Sequence, residues 1–378
     1  MRIGLSFFTF DPYLSGVEYY FLGLLRALLK LRSNDTFVLF TNQLHLLDHD
    51  LKKCPNLILV EIRHLTSRTR RILWEHMILP RKIKEHQVDL LHCPSYICPL
   101  RRVGIPYVVT IHDTIAIDYP QFCKRTNALY YGLFMRRTIS IAAGIVAVSA
   151  STRNDITRLF GVSTAKVHAI YPGIDPGFRV TRDEERLVRV KERYGLPDEF
   201  ILYVGNIEPK KNIAALLAVI ERLRARGVRQ KMVIVGKRAW RTHTELKQIR
   251  KLEDSGDIVM TGYVPRAELP AVYQLADCFV FPSFYEGFGF PPLEAMACGV
   301  PVVASDRGAL KETLGDAACL VEPDDAEGIA EGICALVKDR ALRASLIDRG
   351  LDRVRQFSWT QAAQETLALY REIAGRCA

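Results

Sequence analysis

Short apolar runs alternate along this chain with longer segments in which apolar positions recur every three or four residues. The first run, Arg2–Phe8, precedes Val17, Phe21, Leu24, Leu25, Leu28 and Leu29, which share one face of a helix. Further strand-like runs fall at 36–41, 57–62, 88–93, 107–111, 144–149 and 167–171. Several of them, such as Tyr107–Ile111, are continuously apolar. That pattern predicts strands buried on both faces, as in a parallel sheet covered by helices. Pro172-Gly173-Ile174-Asp175-Pro176-Gly177 then interrupts the pattern, and the same alternation restarts with strands at 200–204, 231–235, 258–260, 277–281, 300–304 and 319–321. The reading is two α/β domains, residues 1–176 and 177–356, joined at this Pro/Gly segment.

The length, 378 residues, suits two cores rather than one. Hydrophobic residues make up 49% and charged residues 25%, the balance of a globular protein, and no stretch nears eighteen uninterrupted apolar residues. The N-terminus reads as a strand without a small-residue cleavage site, so no signal peptide is expected. Nine scattered cysteines at no metal-finger spacing read as reduced thiols of a cytoplasmic protein. Charge changes the picture more. Residues 1–180 hold 23 Lys+Arg against 13 Asp+Glu, whereas residues 181–378 hold 29 of each. The whole excess of +10 lies in the first half, which points to an anionic partner: a lipid-phosphate acceptor, a membrane surface or a nucleic acid. A basic helix over 69–86, with Arg68, Arg70, Arg71, Arg81 and Trp74, is a candidate membrane or acceptor face, the alternative being an ordinary surface helix.

The densest candidate chemistry lies in Phe281–Ser305, FPSFYEGFGFPPLEAMACGVPVVAS. Glu286 and Glu294 bracket Gly287, Phe288, Gly289, Phe290, Pro291 and Pro292. Glycines permit tight turns and close backbone approach, and prolines suit the first turn of a helix. A helix starting near Pro292 would turn free amides and a positive dipole end towards a phosphate. Glu294 in its first turn would reach a ribose, and Glu286 at the loop entrance would accept hydrogen bonds from hydroxyls of whatever the phosphate carries. The plainer alternative is a turn between two strands, with Glu294 merely favoured by the helix dipole. Elsewhere, Tyr107–Ile111 delivers His112 and Asp113 at its carboxyl end, where α/β sites form. Asp113 would orient the imidazole or cap the next turn. Lys210 and Lys211 follow the strand 200–204 and would neutralise a diphosphate, or lie on the surface. Asp48-His49-Asp50 has the form of a metal-binding pair but falls in an irregular polar stretch, so it reads as a helix start.

The stretch from Glu286 resembles the signature of the retaining glycosyltransferases of family 4, which have two Rossmann-like domains facing across a cleft (the GT-B fold). Their pattern, E-G-F-G-x-P-x-x-E-A-M-A-x-G-x-P-V-V-A-S, is matched almost letter for letter. Other similarities run along the chain: Ser15-Gly16-Val17-Glu18, the His112-Asp113 pair, Tyr171–Asp175, Gly205–Asn212, Gly262-Tyr263-Val264 and Gly308–Glu312. The resemblance implies that a C-terminal helix crosses back, so that about 357–378 complete the first domain. It implies a donor site built from Gly205, Gly262, Tyr263, Val264, Gly287, Phe288, Gly289, Phe290, Pro291 and Glu294, with Gly16 near the sugar phosphate. It gives His112, Lys210, Lys211 and Glu286 to the reacting groups. Many members carry an arginine where this chain has Asn206, which shifts the diphosphate charge onto the lysines. Glu208-Pro209-Lys210-Lys211-Asn212, together with Trp74-Glu75-His76 and Leu79-Pro80, resembles bacterial mannosyltransferases of surface-polysaccharide assembly, so GDP-mannose is the expected donor. The acceptor would be a glycan or an anionic lipid-linked sugar. No metal and no further cofactor are expected.

The expectation is therefore a hexosyltransferase of the cytoplasm, or of the inner membrane face through its basic domain. An epimerase or phosphorolytic enzyme of the same fold is one alternative, and is told apart by product release without acceptor. A non-catalytic protein binding membrane or nucleic acid through the basic half is another. The nucleic-acid form of it is disfavoured because no aromatic–basic motif is present.

Overall fold

The structure, a computed structural model, describes residues 1–8, 15–63, 65, 67–237 and 243–377. Two compact units emerge, Met1–Gly173 with Ser358–Ala378, and Ile174–Phe357. In the first, β1 (Arg2–Phe7), β2 (Thr36–Thr41), β3 (Leu57–Glu61), β4 (Leu90–Cys93), β5 (Tyr107–Ile111), β6 (Gly144–Ala147) and β7 (Val167–Ala169) form one sheet. Its order is β3-β2-β1-β4-β5-β6-β7, and every pair is parallel. In the second, β8 (Phe200–Val204), β9 (Lys231–Val235), β10 (Ile258–Gly262), β11 (Cys278–Phe281), β12 (Val302–Ser305) and β13 (Cys319–Val321) follow the order β10-β9-β8-β11-β12-β13, again all parallel. Each sheet reverses its strand order once, between β1 and β4 and between β8 and β11. In open parallel sheets, ligands bind outside the carboxyl ends of the strands at such a reversal. The apolar runs are buried as their pattern requires: β5, β8 and β11 expose no side chain.

Three glycines seat the C-terminal helix Trp359–Cys377 in the first unit. A Cβ on Gly23 would lie 2.3 Å from the Trp359 ring, on Gly144 2.4 Å from Ile373, and on Gly173 2.1 Å from the Trp359 backbone nitrogen. The helix also contributes Tyr370 to a buried polar chain. Tyr370 meets His92 Nδ1 at 2.5 Å, His92 Nε2 meets Thr110 Oγ1 at 2.8 Å, and Thr110 Oγ1 meets the Tyr20 hydroxyl at 3.2 Å. Burial, with His112 nearby, pushes His92 down to about 3, so the ring stays neutral. At Gly173 the obstacle is backbone, which cannot rotate away. Gly173→Ala is expected to destabilise the protein by roughly 1–3 kcal/mol or more. Gly132, in the helix Arg125–Ile141, has nothing within 4 Å of its Cβ position, so Gly132→Ala should stabilise by roughly 0.5–1 kcal/mol. Urea midpoints of the two variants check both signs.

The basic segment is helical throughout: Arg68–Leu73, a π-helical stretch Trp74–Ile78, and Leu79–Glu85. The expected surface role of Trp74 is corrected here. Its ring is buried and packs edge-on against Phe8 at 5.0 Å, because the π turn rotates it inward. Leu73, Met77 and Ile78 are the exposed apolar side chains instead. No helix among the described residues is long and apolar enough to cross a membrane.

Candidate active site

In the second unit, three glycines bring the ends of β8, β9 and β10 into backbone contact. The Gly205 amide donates to the Val235 carbonyl at 2.8 Å, and the Gly236 amide to the Gly262 carbonyl at 2.9 Å. A Cβ on Gly236 would lie 2.0 Å from the Gly205 carbonyl oxygen, so only glycine permits this packing. Beyond Gly262, Tyr263 is 40% exposed and Val264 is buried. Lys237 Nζ sits 4.8 Å from the Tyr263 ring centroid. The result is a backbone shelf with one aromatic face at its edge.

The reversal between β8 and β11 holds the central contact. After β8 the chain makes a 3₁₀ turn, Pro209–Lys211, and Asn212 enters the left-handed region at φ 53°. Asn212 can do so because a short amide tolerates that region; it also caps the helix Ile213–Ala225 and donates to the Pro323 carbonyl at 2.6 Å. This sends Lys211 across to the loop after β11. Its Nζ lies 2.5 Å from Glu286 Oε1 and 4.8 Å from the Phe281 ring centroid. Both side chains of the pair are 11% exposed. The Phe284 amide donates to the Lys210 carbonyl at 2.9 Å, joining the two loops a second time. Lys210 Nζ stands 3.9 Å from Glu208. Burial alone would raise the Glu286 carboxyl, but Lys211 and then Lys210 outweigh it and hold it below the usual carboxylate range.

The Glu286 loop is pinned from β12 and the turn after it. Ser305 Oγ donates to the Ser283 carbonyl at 2.6 Å, the Ala309 amide to the Glu286 carbonyl at 2.9 Å, and Thr313 Oγ1 to the Phe288 carbonyl at 3.1 Å. Gly287 and Phe288 lie within this fastened loop. Gly289 ends it at φ 94°, where a Cβ would meet Leu310 at 2.4 Å. The helix begins at Phe290, two residues before the expected Pro292. Pro291 and Pro292 have no N–H, so the amides of Gly289 and Phe290 are the donors this helix end retains.

The earlier start puts Glu294 in the second turn rather than the first. It is buried and accepts from Arg266 Nη1 at 2.9 Å and from the Tyr273 hydroxyl at 3.2 Å. Arg266 also reaches Asp175 at 3.4 Å and covers the Phe178 ring at 4.5 Å. Each carboxylate oxygen retains a further lone pair for another donor.

The first unit holds the other two candidates at its own sheet. His112 follows β5 and its Nε2 lies 2.7 Å from the Pro94 carbonyl. A carbonyl only accepts, so Nε2 carries the proton. Burial lowers the His112 pKa against the opposing pull of that carbonyl, Asp113 and Glu18. The neutral ring therefore keeps its lone pair on Nδ1. Tyr20 meets the ring edge-on at 4.8 Å and Tyr96 at 5.4 Å. Asp113 accepts from the Ile115 amide at 3.3 Å, the capping alternative. Gly16 opens the helix Gly16–Lys30 beside a capping box in which the Ser15 amide donates to Glu18 at 2.8 Å. Asp48 caps the short helix His49–Lys52 and pairs with Arg26 at 3.0 Å.

Lys211 and Glu286 are thus brought into contact, with Lys210, Gly287–Pro291 and Glu294 on the adjoining segments of the same unit. Gly205, Gly262, Tyr263 and Val264 follow the neighbouring strands. Sequence reasoning missed Arg266, Tyr273, Asn212, Ser305 and Thr313. Arg266 follows Gly262–Pro265 directly and so had a positional signal. The others act through hydrogen bonds that no spacing encodes.

Residues 14–178 match the family model described as Glycosyltransferase Family 4, and residues 185–353 match Glycosyl transferases group 1. The O-antigen chain mannosyltransferase B of Escherichia coli is 31% identical over 291 residues, 76% of each chain. Among solved structures, the sucrose-phosphate synthase of Thermosynechococcus elongatus aligns over 99% of both chains at 22% identity with a TM-score of 0.75. Anabaena HepE, solved with UDP and glucose, aligns over 98% of this chain and all of its own at 19% identity, with a TM-score of 0.74. These two likenesses carry the fold, which is GT-B. A pair of Rossmann-like units with these matches defines a glycosyltransferase. The chain belongs to glycosyltransferase family 4, in which mannosyltransferases are among its relatives.

Proposed function

We propose that this enzyme transfers mannose from GDP-mannose, with retention, to a glycan or lipid-linked acceptor. The observation that carries the reading is the buried Lys211–Glu286 pair at the strand-order reversal of the second sheet. Lys211 is poised to meet the diphosphate, with Lys210 and the amides of Gly289 and Phe290 adding positive potential. Glu286 then accepts from hydroxyls of the sugar, and Glu294 from the ribose. The Gly205 and Gly262 shelf with Tyr263 and Val264 faces the base. In the first unit, His112 would offer Nδ1 to the transferred sugar, and Gly16 would lie near its phosphate. These groups meet the departing charge themselves, so the reading requires no metal and assigns no covalent residue. The mannose assignment follows the relatives' names and the Trp74-Glu75-His76 stretch. The first unit carries 24 Lys+Arg against 14 Asp+Glu, which suits an anionic lipid-linked acceptor presented at the inner membrane face.

A screen of nucleotide-sugars for thermal stabilisation, run in EDTA, tests this. At 100 times its Kd a ligand selective for the folded state stabilises by about 2.7 kcal/mol, a shift of several degrees. GDP-mannose is expected to produce it. A shift with UDP-sugars alone would replace the donor, and a shift only on adding a divalent ion would overturn the metal-free reading.

A further inference from the structure

Two helical segments that cover the same core of the first unit turn large apolar side chains to solvent. Residues 68–85 and the helix Arg125–Ile141 meet where Phe134 stacks on His76 at 5.7 Å. Trp74, Leu79 and Ile83 from the one, and Met135 and Ile139 from the other, enter one buried cluster. Their outer faces therefore point away from the sheet together. On those faces Leu73 is 59%, Met77 67%, Leu129 75% and Leu133 66% exposed. Trp74 has no place among them; the π turn that buries it leaves Leu73 and Met77 outward. Single exposed leucines are ordinary, but large apolar side chains gathered on adjoining helices mark an interaction surface.

Charge says what would cover it. Arginines stand at both ends of each apolar pair: Arg70 and Arg81 flank Leu73 and Met77, and Arg125 and Arg137 flank Leu129 and Leu133 at steps of four residues. All four arginines are exposed. Residues 68–84 and 125–141 contain a single acidic residue, Glu75, which is turned inward against Arg71 at 3.6 Å. Glu85, just beyond, pairs with Lys82 at 2.6 Å. Apolar side chains between guanidinium groups match the layering of an anionic bilayer surface, acyl chains below and phosphates above. Arginine suits the rim because its aliphatic stem lies along apolar surface while its head reaches a phosphate. A second copy of this chain on the same face would set arginine against arginine, which disfavours a symmetric dimer there.

We infer that Leu73, Met77, Leu129 and Leu133, with the arginines flanking them, form a surface that docks on a membrane rich in anionic lipid. The role of the docking rests on the lipid-linked acceptor proposed above, but the docking itself is measured without either substrate. The probe is the full chain with vesicles of phosphatidylcholine alone, and of phosphatidylcholine and phosphatidylglycerol in equal parts, read by co-sedimentation. Wild type is expected to partition onto the mixed vesicles and to lose most of that binding in high salt or on phosphatidylcholine alone. Met77→Ser with Leu133→Ser is expected to lower the partition coefficient by about tenfold or more. Arg81→Gln with Arg125→Gln should do the same, since each basic residue at an anionic surface contributes about fivefold. All four side chains lie on the surface, so melting temperatures should stay near wild type, which shows that the variants fold. Equal binding to both kinds of vesicle, variants that bind like wild type, or no vesicle binding at all would overturn the surface. So would a dimer in sedimentation velocity that the serine variant dissociates, because a second copy would then be the occupant. Docking that the variants abolish, in an enzyme that transfers only to water-soluble acceptors, would uphold the surface and overturn the lipid-linked acceptor instead.

Discussion

Replacing Lys211 by alanine is expected to lower kcat by about 10²–10³-fold while donor KM moves far less, because the ammonium stabilises charge that develops as the diphosphate departs. The pair it forms with Glu286 sharpens the expectation. With Lys211 gone, a carboxylate that is almost fully buried loses its nearest counter-charge. Breaking a buried pair from one side typically costs about 3–5 kcal/mol. The pH dependence should also change sign. In the wild type Glu286 is depressed, so its contribution to stability is present above the unfolded-state carboxylate pKa and is lost as pH falls through the lower folded value. In the variant, burial dominates and the folded pKa rises above the unfolded one. Its contribution is then favourable only at acid pH and is lost as pH rises. Single-turnover rates, and urea midpoints between pH 4 and 8, check both halves. Full turnover in Lys211→Ala would remove it from the leaving-group site. Lys211→Ala combined with Glu286→Gln should recover stability without recovering rate, which separates the two roles.

Glu294→Ala is expected to raise donor KM by about tenfold or more and to destabilise the protein by roughly 2–4 kcal/mol. The first effect comes from losing the acceptor for ribose hydroxyls. The second comes from its protein partners: the fully buried Tyr273 hydroxyl loses its Glu294 acceptor, and Arg266 is left with Asp175 alone of its two carboxylates. A comparison of GDP with its 2′,3′-dideoxy analogue isolates the ribose. Wild type should prefer GDP, and the variant should bind the two alike. Equal discrimination by both proteins would leave Glu294 a purely structural anchor for Arg266.

Much of the fold was legible because each buried parallel strand is a continuous apolar run and each covering helix repeats at three and four. The Pro/Gly break at 172–177 stood at the change of unit for the same reason: it can join neither pattern. The loop carrying Glu286 was legible through its glycines and prolines, whose backbone restrictions are local. What was not legible depends on partners distant in sequence. Trp74 reads as an exposed aromatic on a basic helix until a π turn rotates it onto Phe8. Glu294 reads as a free first-turn carboxylate until Arg266 and Tyr273 are seen to hold it. The helix starts at Phe290 because Gly289 turns the chain through the left-handed region and Pro291 and Pro292, with φ fixed near helical values, sit in its first turn.

The return of Ser358–Ala378 to the first unit bears on how the chain is made. A ribosome releases the second unit's contiguous sequence in full before the helix that completes the first has emerged. Until then the seats at Gly23, Gly144 and Gly173 are uncovered, and His92 lacks Tyr370. The second unit has every strand of its sheet and is free to fold during synthesis; the first must wait for the last twenty-one residues. A stalled or clipped chain ending before Trp359 would therefore hold a finished second unit and an open, aggregation-prone first unit. Quality control that removes such chains would spare the cell a half-finished protein with exposed apolar seats.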